Sequence, residues 1–343
     1  MSTIAAPSRS AAASTKAAPR WMFNGPLDLL LIANVGWPLI VGLSMLIADQ
    51  PAAQAFGFLV AYFVIMPHRW ITLALVFCDR QRFESRRYAF ISIAITAMAA
   101  VSLTQASFGT LALLMAVDWL WNAWHFAAQH GGVARIYDRM ARPDSTSTGL
   151  LDKLVIRTLA VFAIFRLTGT TVPTLDNGTE YLGWLITMMN WLSVLDWFVI
   201  ALPLVLLVRE VLDFRPAAMA RIVYLLSVWT LYGTMLYATR QDQFGLRFGC
   251  ALAASVFHSI EYLAIVSWSL QKNKPLHSKK PFVWFMPRWA VTLVTFMTFC
   301  VLSAVLLKGR FYMAWACVNL IVSFLHYAYD GMIWKRPKQK PAV

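Results

Sequence analysis

The feature that most constrains this sequence is a series of about ten long apolar runs, separated by short segments that carry the charged residues. Each run is close to the ~20 residues that an α-helix needs to cross a bilayer. Only 13% of the residues are charged, against roughly 25% in soluble domains, and no polar stretch is long enough for a second, soluble domain. The sequence therefore predicts an all-α integral membrane protein, a polytopic bundle of about ten transmembrane helices.

The predicted spans cover residues 27–48, 54–77, 88–104, 108–130, 154–172, 182–208, 217–238, 244–269, 283–307 and 311–334. We expect a disordered cytoplasmic tail at 1–24, a single polytopic transmembrane domain at 25–335 and a short basic cytoplasmic tail at 336–343. The first residues are rich in Ala, Ser, Lys and Arg and contain no acid, a composition that also resembles a targeting segment. A cleaved secretory signal is not expected, because the apolar run at 29–48 exceeds a signal core of about 7–15 residues.

The basic residues are distributed asymmetrically between the two sides of the predicted bundle. The segments that follow even-numbered spans hold Arg80, Arg82, Arg86 and Arg87, then Arg135, Arg139, Arg142 and Lys153, then Arg209, Arg215 and Arg221, then Lys272, Lys274, Lys279 and Lys280, and finally residues 335–340. The other side holds little beyond Arg240, Arg247, Lys308 and Arg310. Such a bias predicts that both termini are cytoplasmic, in a multi-pass protein of the cell membrane, here a bacterial inner membrane. The net charge of +14 then reflects topology signals, and no nucleic-acid partner is expected.

Histidines are concentrated on the even-numbered spans. They are His68, His125, His130, His258 and His326, and a sixth, His277, lies in a basic segment to which we assign no role. Four of them, His130 excepted, precede the basic residue that ends their span by about nine to fourteen residues, which at ~1.5 Å per residue places them roughly 14–21 Å inside the cytoplasmic boundary. Independent structural histidines would have no reason to reach one level.

These histidines also lie on polar stripes at helical spacing. The stripes are His68, Thr72 and Asp79 on the second span, with one apolar gap at Leu75, then Asp118, Asn122, His125 and Gln129 on the fourth, Ser255, His258 and Glu261 on the eighth, and Asn319, Ser323, His326 and Asp330 on the tenth. Stripes that face one another would form a polar pocket inside the bundle. A pairing of Arg166 with Asp196 would account for two further buried charges.

Neutral imidazole with carboxylate is a common ligand set for iron, manganese, copper and zinc. The sequence therefore predicts a metal site with His68, His125, His130, His258 and His326 as ligands, and with Glu261 and Asp330 as residues that ligate the metal or orient its ligands. The expected metal is iron, as one or two ions, with a heme held by two of the histidines as the alternative. The four cysteines are scattered, which disfavours an iron–sulfur cluster.

The segment from Trp124 and His125 to His130 resembles the H-x4-H box of the histidine-motif membrane desaturases and hydroxylases, which bind two irons at the cytoplasmic side. The resemblance covers only this piece, and their HxxHH boxes are missing. In size and in its dispersed helical histidines the chain is also similar to the small bacterial carotenoid-cleaving membrane oxygenases. Both resemblances imply oxygen chemistry on a long apolar substrate.

The resulting hypothesis is a metal-dependent membrane oxidoreductase, of the oxygenase, hydroxylase or desaturase type, acting on a lipid or isoprenoid-like substrate. Its expected partners are membrane lipids, the apolar substrate, and an electron-donor protein or a second copy of the chain. Two alternatives stay open. The same buried groups could serve a transporter of protons or metal ions, and the polar stripes could meet a partner protein in a purely structural subunit.

Overall fold

The computed structural model describes residues 19–47, 64–77, 79–145, 149–171, 187–188, 190–272 and 311–334, with short pieces at 294–295, 298–299, 301–303 and 305–306. Of these described residues 88% are helical and none lies in a strand. The all-α class expected from the sequence is therefore confirmed for the described part of the chain. Most of the two predicted tails and of the predicted span at 283–307 lies outside the described residues.

The labelled helices follow one another in chain order. They are α1 (Gly25–Leu27, continuing as a π-helical turn over Asp28–Ile32), α2 (Trp37–Ile47), α3 (Met66–Phe77), α4 (Arg80–Ser85), α5 (Arg87–Phe108), α6 (Ala112–Ala141), α7 (Leu150–Thr171), α8 (Asp196–Ala201), α9 (Leu204–Leu212), α10 (Met219–Arg240), α11 (Phe244–Lys272) and α12 (Tyr312–Ile333). Short 3₁₀ turns at Leu192–Leu195 and Pro216–Ala218 lead into α8 and α10.

Several of these helices are long and apolar enough to cross a membrane. Within the described residues there are five such segments, Arg87–Phe108, Leu192–Leu212, Pro216–Arg240, Phe244–Leu270 and Tyr312–Ile333. A sixth is added if Gly25–Ile32 and Trp37–Ile47, which are bent by 41° relative to each other, form one span. These helices support insertion into a membrane.

Two predicted spans differ from the helices that form. The fourth was expected to end at His130, where two glycines and then Arg135 follow, but α6 continues to Ala141. It continues because the charged side chains of its last turns are paired with neighbouring helices, as described below. The sixth predicted span is interrupted between α8 and α9 at Pro203, which has no backbone N–H for a helical hydrogen bond.

The apolar core is divided into two main clusters. The larger joins α6, α7, α10 and α11, with Ala127, Leu159, Leu231 and Phe257 among its buried side chains. The smaller joins α3, α5 and α12, with Val76, Phe90, Leu325 and Tyr329. The Tyr329 hydroxyl donates to the carbonyl of Phe90 over 2.7 Å, and this bond ties α12 to α5.

The crossing of α2 over α11 requires a glycine. A Cβ atom at Gly249 would lie 3.2 Å from the Cα atom of Val41, closer than side chains normally approach a backbone. The two helices therefore pack backbone against backbone at this point, in the manner common for small residues in membrane helix pairs.

A fully buried arginine connects the ends of four helices. The Arg221 guanidinium on α10 lies 2.5 Å from Asp138 of α6 and 2.9 Å from Glu210 of α9 through Nη1, and 3.0 Å from Asp152 of α7 through Nη2. Arg142 also bonds Asp138 and Glu210. Arg135 pairs with Asp138 and Arg209 with Asp152, but Arg221 is the one described arginine that reaches all three buried carboxylates.

Two further arginine pairs lie at the edges of the bundle. Arg142 also bonds Asp213, which is exposed in the segment after α9, and this bond lowers the pKa of the Asp213 carboxyl. Elsewhere, Arg166 of α7 donates to Asp196 of α8 from Nε over 3.0 Å and from Nη2 over 3.2 Å. The pairing that the sequence suggested for these two residues is therefore confirmed.

The structure predicts that Arg221→Met unfolds the protein at a lower temperature. The substitution leaves buried carboxylates short of a counter-charge, which typically costs ~3–5 kcal/mol when one partner of a buried pair is removed. Thermal unfolding in detergent measures this effect. Arg139→Met is the matched control, because Arg139 is exposed on the last turns of α6. Equal unfolding temperatures for the two variants would contradict the role given to Arg221.

Candidate metal centre

Four histidine side chains from four helices converge where the two apolar clusters meet. His68 comes from α3, His125 from α6, His258 from α11 and His326 from α12, and all four are buried. The ring centroids lie 5.0 Å apart for His68–His258, 4.8 Å for His68–His326, 4.8 Å for His125–His258 and 4.6 Å for His125–His326. We call these side chains the four-histidine centre.

The ring nitrogens of the centre are close enough to share one ion. One nitrogen from each of His68, His258 and His326 lies within 4.8 Å of the others. The Nε2 atom of His125 lies 2.9 Å from the Nε2 atom of His326. Metal–nitrogen bonds of ~2.0–2.1 Å place two adjacent ligands at a right angle ~3 Å apart, so this pair has the spacing of two ligands on one metal.

Ser259 orients the His68 ring. Its hydroxyl lies 2.8 Å from the carbonyl of Ser255 and 3.0 Å from Nδ1 of His68. When the hydroxyl donates to the carbonyl, it accepts from the Nδ1–H group of His68. The lone pair of His68 then lies on Nε2, the arrangement common in metal-binding histidines.

Hydroxyl groups also contact His326. The Thr72 hydroxyl lies 2.7 Å from Nδ1 of His326 and 2.6 Å from the Tyr262 hydroxyl oxygen. With Nδ1 held by Thr72, Nε2 is the nitrogen of His326 that faces His125.

Asp330 favours the same arrangement in His125. Its Oδ2 atom lies 3.8 Å from Nδ1 of His125, while its Oδ1 atom accepts from Nε1 of Trp334 over 2.5 Å. A carboxylate next to Nδ1 stabilises a proton on that nitrogen. A proton on Nδ1 would leave the lone pair of His125 on Nε2, the nitrogen that faces His326.

The 2.9 Å between the Nε2 atoms of His125 and His326 fits two arrangements. Without a metal, the Nε2–H group of one ring donates to the lone pair of the other. With a metal, both Nε2 atoms would donate their lone pairs to one ion, together with nitrogens of the neighbouring rings.

His258 adds an independent sign of a missing ligand. Its side chain is fully buried, and neither Nδ1 nor Nε2 has a hydrogen-bond partner in the structure. Leaving a buried polar group unsatisfied costs ~1–3 kcal/mol. The His258 ring is held by Phe126, which stacks on it with centroids 3.9 Å apart. A metal bound to one of its nitrogens would remove the cost.

The distances between the histidine rings also decide whether a heme could bind between two of them. Two histidines on opposite faces of a heme need their nitrogens ~4 Å apart, given metal–nitrogen bonds of ~2.0–2.1 Å. The 2.9 Å between the nitrogens of His125 and His326 is too short for that. Neighbouring rings that pack at 4.6–5.0 Å leave no slot for a porphyrin between them. The residues fit a metal ion held directly by imidazoles.

The structure places two of the predicted site residues in an adjoining network. The Glu261 carboxylate accepts from the Tyr224 hydroxyl over 2.5 Å and from the Gln129 amide over 2.6 Å. His130 lies 3.3 Å from Glu261 and contacts the hydroxyls of Tyr224 and Tyr232 through its two ring nitrogens. His130 as a metal ligand stays a prediction, and it would have to exchange one of these contacts to bind a metal.

The sequence analysis missed the tyrosines that support the site. Tyr224 and Tyr232 lie eight residues apart on one face of α10, and this spacing could have drawn attention to them. Ser259 and Tyr262 flank the polar stripe of α11 without belonging to it. A serine in a membrane helix commonly bonds its own backbone, as Ser259 also does, so its sequence position alone does not indicate a histidine partner.

No protein-family model matches the chain, and no curated protein or solved structure matches it significantly. The function of this chain is therefore inferred from the geometry of the described residues.

The geometry predicts that His125→Ala and His326→Ala each abolish stoichiometric binding of a transition metal. Each variant removes one of the two facing Nε2 atoms. Elemental analysis of detergent-purified protein measures the bound metal, and His277→Ala, in the basic segment to which the sequence assigns no role, is the matched control. Ser259→Ala should weaken metal affinity ~10–100-fold, because it removes the group that orients His68. Unchanged metal content in the His125 and His326 variants would contradict the site.

Proposed function

We propose that this chain is a metal-dependent membrane oxidoreductase with iron at the four-histidine centre. The observation that carries the proposal is the convergence of ring nitrogens of His68, His258 and His326 within 4.8 Å, with Nε2 of His125 2.9 Å from Nε2 of His326 and the ring of His258 unsatisfied. The proposed number of ions is one at this centre, with His130 and Glu261 available to a second. Bound iron would supply one-electron chemistry and activation of oxygen.

The surrounding residues support specific roles in such a reaction. Ser259 and Thr72 fix the orientation of the His68 and His326 rings, and Asp330 balances part of the charge of a bound cation. The described centre contains no thiolate and is fully buried, so bulk water is kept from the reacting atoms. Glu261 and Asp330 are the acids placed to accept or supply protons.

The proposed substrate is a lipid or an isoprenoid-like molecule that enters from the bilayer. Tyr327 packs on His125 with ring centroids 5.0 Å apart, and Trp121 packs on Tyr327 at 5.7 Å. Trp121 is itself 37% exposed on the outer face of the bundle. Two aromatic layers therefore separate the centre from the surface that faces lipid, a short route for an apolar chain. An electron-donor protein or a second copy of the chain is the proposed protein partner.

A carrier of protons or metal ions is the second candidate, since polar groups continue beyond the centre. Arg69 donates to the Ser323 hydroxyl, and the Tyr327 hydroxyl donates to Asn122 over 3.0 Å. Asp118, one turn before Asn122 on α6, has a buried carboxylate oxygen with no hydrogen-bond partner. These groups extend the polar interior toward the start of α6, as a conducting path would require.

We also propose that about ten spans place both termini in the cytoplasm. With this topology, a cysteine at Thr110, between α5 and α6, should react from outside the cell. One at Asp144, between α6 and α7, should react only after the membrane is permeabilised. The measurement is labelling of Thr110→Cys and Asp144→Cys with a membrane-impermeant maleimide, in a chain whose natural cysteines are serine. Labelling of Asp144→Cys in intact cells would contradict the orientation.

The functional prediction is that the iron-loaded protein in lipid nanodiscs consumes oxygen with a reductant and modifies lipid. Mass spectrometry of the lipids should reveal loss of two hydrogens or gain of an oxygen atom. His258→Ala should lose this activity and its iron while its unfolding temperature shows that it remains folded. Protein that takes up no iron, copper, manganese or zinc would exclude the enzyme. A pH-dependent ion flux in proteoliposomes without lipid modification would favour the carrier.

A further inference from the structure

The hairpin of α6 and α7 carries a basic surface that lies apart from the four-histidine centre. Lys153 and Arg157 are one turn apart on α7 and so share one face of the helix. They lie against Gly131 of α6, where a Cβ atom would be 3.9 Å from Nε of Arg157 and 3.9 Å from Cα of Lys153. We call this surface, formed by Lys153, Arg157, Gly131 and Trp124, the basic notch.

Arg157 has no counter-ion among the described residues. Its Nε atom is buried and makes no hydrogen bond, and no carboxylate lies within 4.0 Å of its guanidinium. Its only described polar contact is with the ring of Trp124, over which the guanidinium carbon lies at 4.8 Å. Arg166, two turns and a half further along the same helix, is by contrast paired with Asp196. Lys153 likewise has no carboxylate within 4.0 Å in the described part of the chain.

The notch opens on the outer surface of the bundle. Trp124 is 51% exposed and Leu154, beside Lys153, is 56% exposed. In a membrane such side chains face acyl chains, while a lysine and an arginine within one or two turns of a helix end reach toward the headgroups. The described structure therefore combines two unpaired cations with an adjoining apolar wall.

We propose that the basic notch binds the phosphate of an anionic phospholipid from the cytoplasmic leaflet. The planar guanidinium of Arg157 can bond two phosphate oxygens, and the ammonium of Lys153 can bond a third. The small Gly131 lets α7 approach α6 and brings Lys153 and Arg157 to the edge of the exposed Trp124, which offers a flat surface to the acyl chain. Basic pockets between helices at this side of a membrane are suited to such headgroups. This site depends on membrane insertion and not on the metal.

The test compares lipid binding by the full-length protein and by three variants. Native mass spectrometry of the detergent-purified chain would measure retained phosphatidylglycerol against phosphatidylcholine. Arg157→Gln and Lys153→Gln should each weaken retention of phosphatidylglycerol about tenfold, the effect of losing one charge-assisted hydrogen bond. Arg139→Gln removes the same charge from the exposed end of α6 and should leave retention unchanged.

Several outcomes would overturn the proposal. These are equal retention of the two lipids by the unaltered protein, equal loss in Arg139→Gln, and full retention by Arg157→Gln. Stabilisation against heat by inorganic phosphate that matches the effect of phosphatidylglycerol would identify a soluble anion as the ligand instead. Metal content, measured in the same samples, should be unchanged in every variant of the notch, so a failure here is distinct from a failure of the four-histidine centre.

Discussion

The arrangement of this protein depends on one constraint, that imidazole nitrogens buried in an apolar bundle must find a hydrogen-bond partner or a cation. Nδ1 of His68 contacts the Ser259 hydroxyl, and Nδ1 of His326 contacts the Thr72 hydroxyl. The Nε2 atoms of His125 and His326 contact each other at 2.9 Å, and neither nitrogen of His258 has a hydrogen-bond partner. A metal ion bound by these rings would take up the nitrogens that the hydroxyl groups do not hold.

The centre lies at the boundary between the two apolar clusters. His125 and His258 belong to the helices of the larger cluster, and His68 and His326 belong to those of the smaller. A third, small cluster joins α3 to α11 beside the centre through residues such as Ile71 and Tyr262. A metal bound by all four rings would thus cross-link two separately packed parts, and its binding free energy would contribute to their association. The arginine network around Arg221 holds only the larger part together.

Much of this site was predictable from the sequence because depth in a helix follows directly from residue count. The four histidines were expected at one level, and the structure brings them together. What helical depth could not supply was direction around each helix. His130 shares a helix with His125 but lies in the Glu261 network, since five residues turn a helix by well over one full rotation. Thr72 was expected on the polar stripe of His68, whereas Ser259 and Tyr262 were missed because serine and tyrosine in a membrane helix have several competing partners. The continuation of α6 through Gly131 was missed because pairing with distant carboxylates outweighed the local glycine signal.

The same geometry bears on whether a metal at the centre would be resident or transported. A transported ion needs ligands that release it, usually groups that can rotate or take up protons from water. Here Thr72 and Ser259 hold two of the rings by their Nδ1 atoms, and Phe126 stacks on a third. The rings are also fully shielded from solvent within the described structure. Ligands fixed in this way bind a metal without reorganisation and give it up slowly, which favours a permanent cofactor over cargo. That preference supports the oxidoreductase over the carrier.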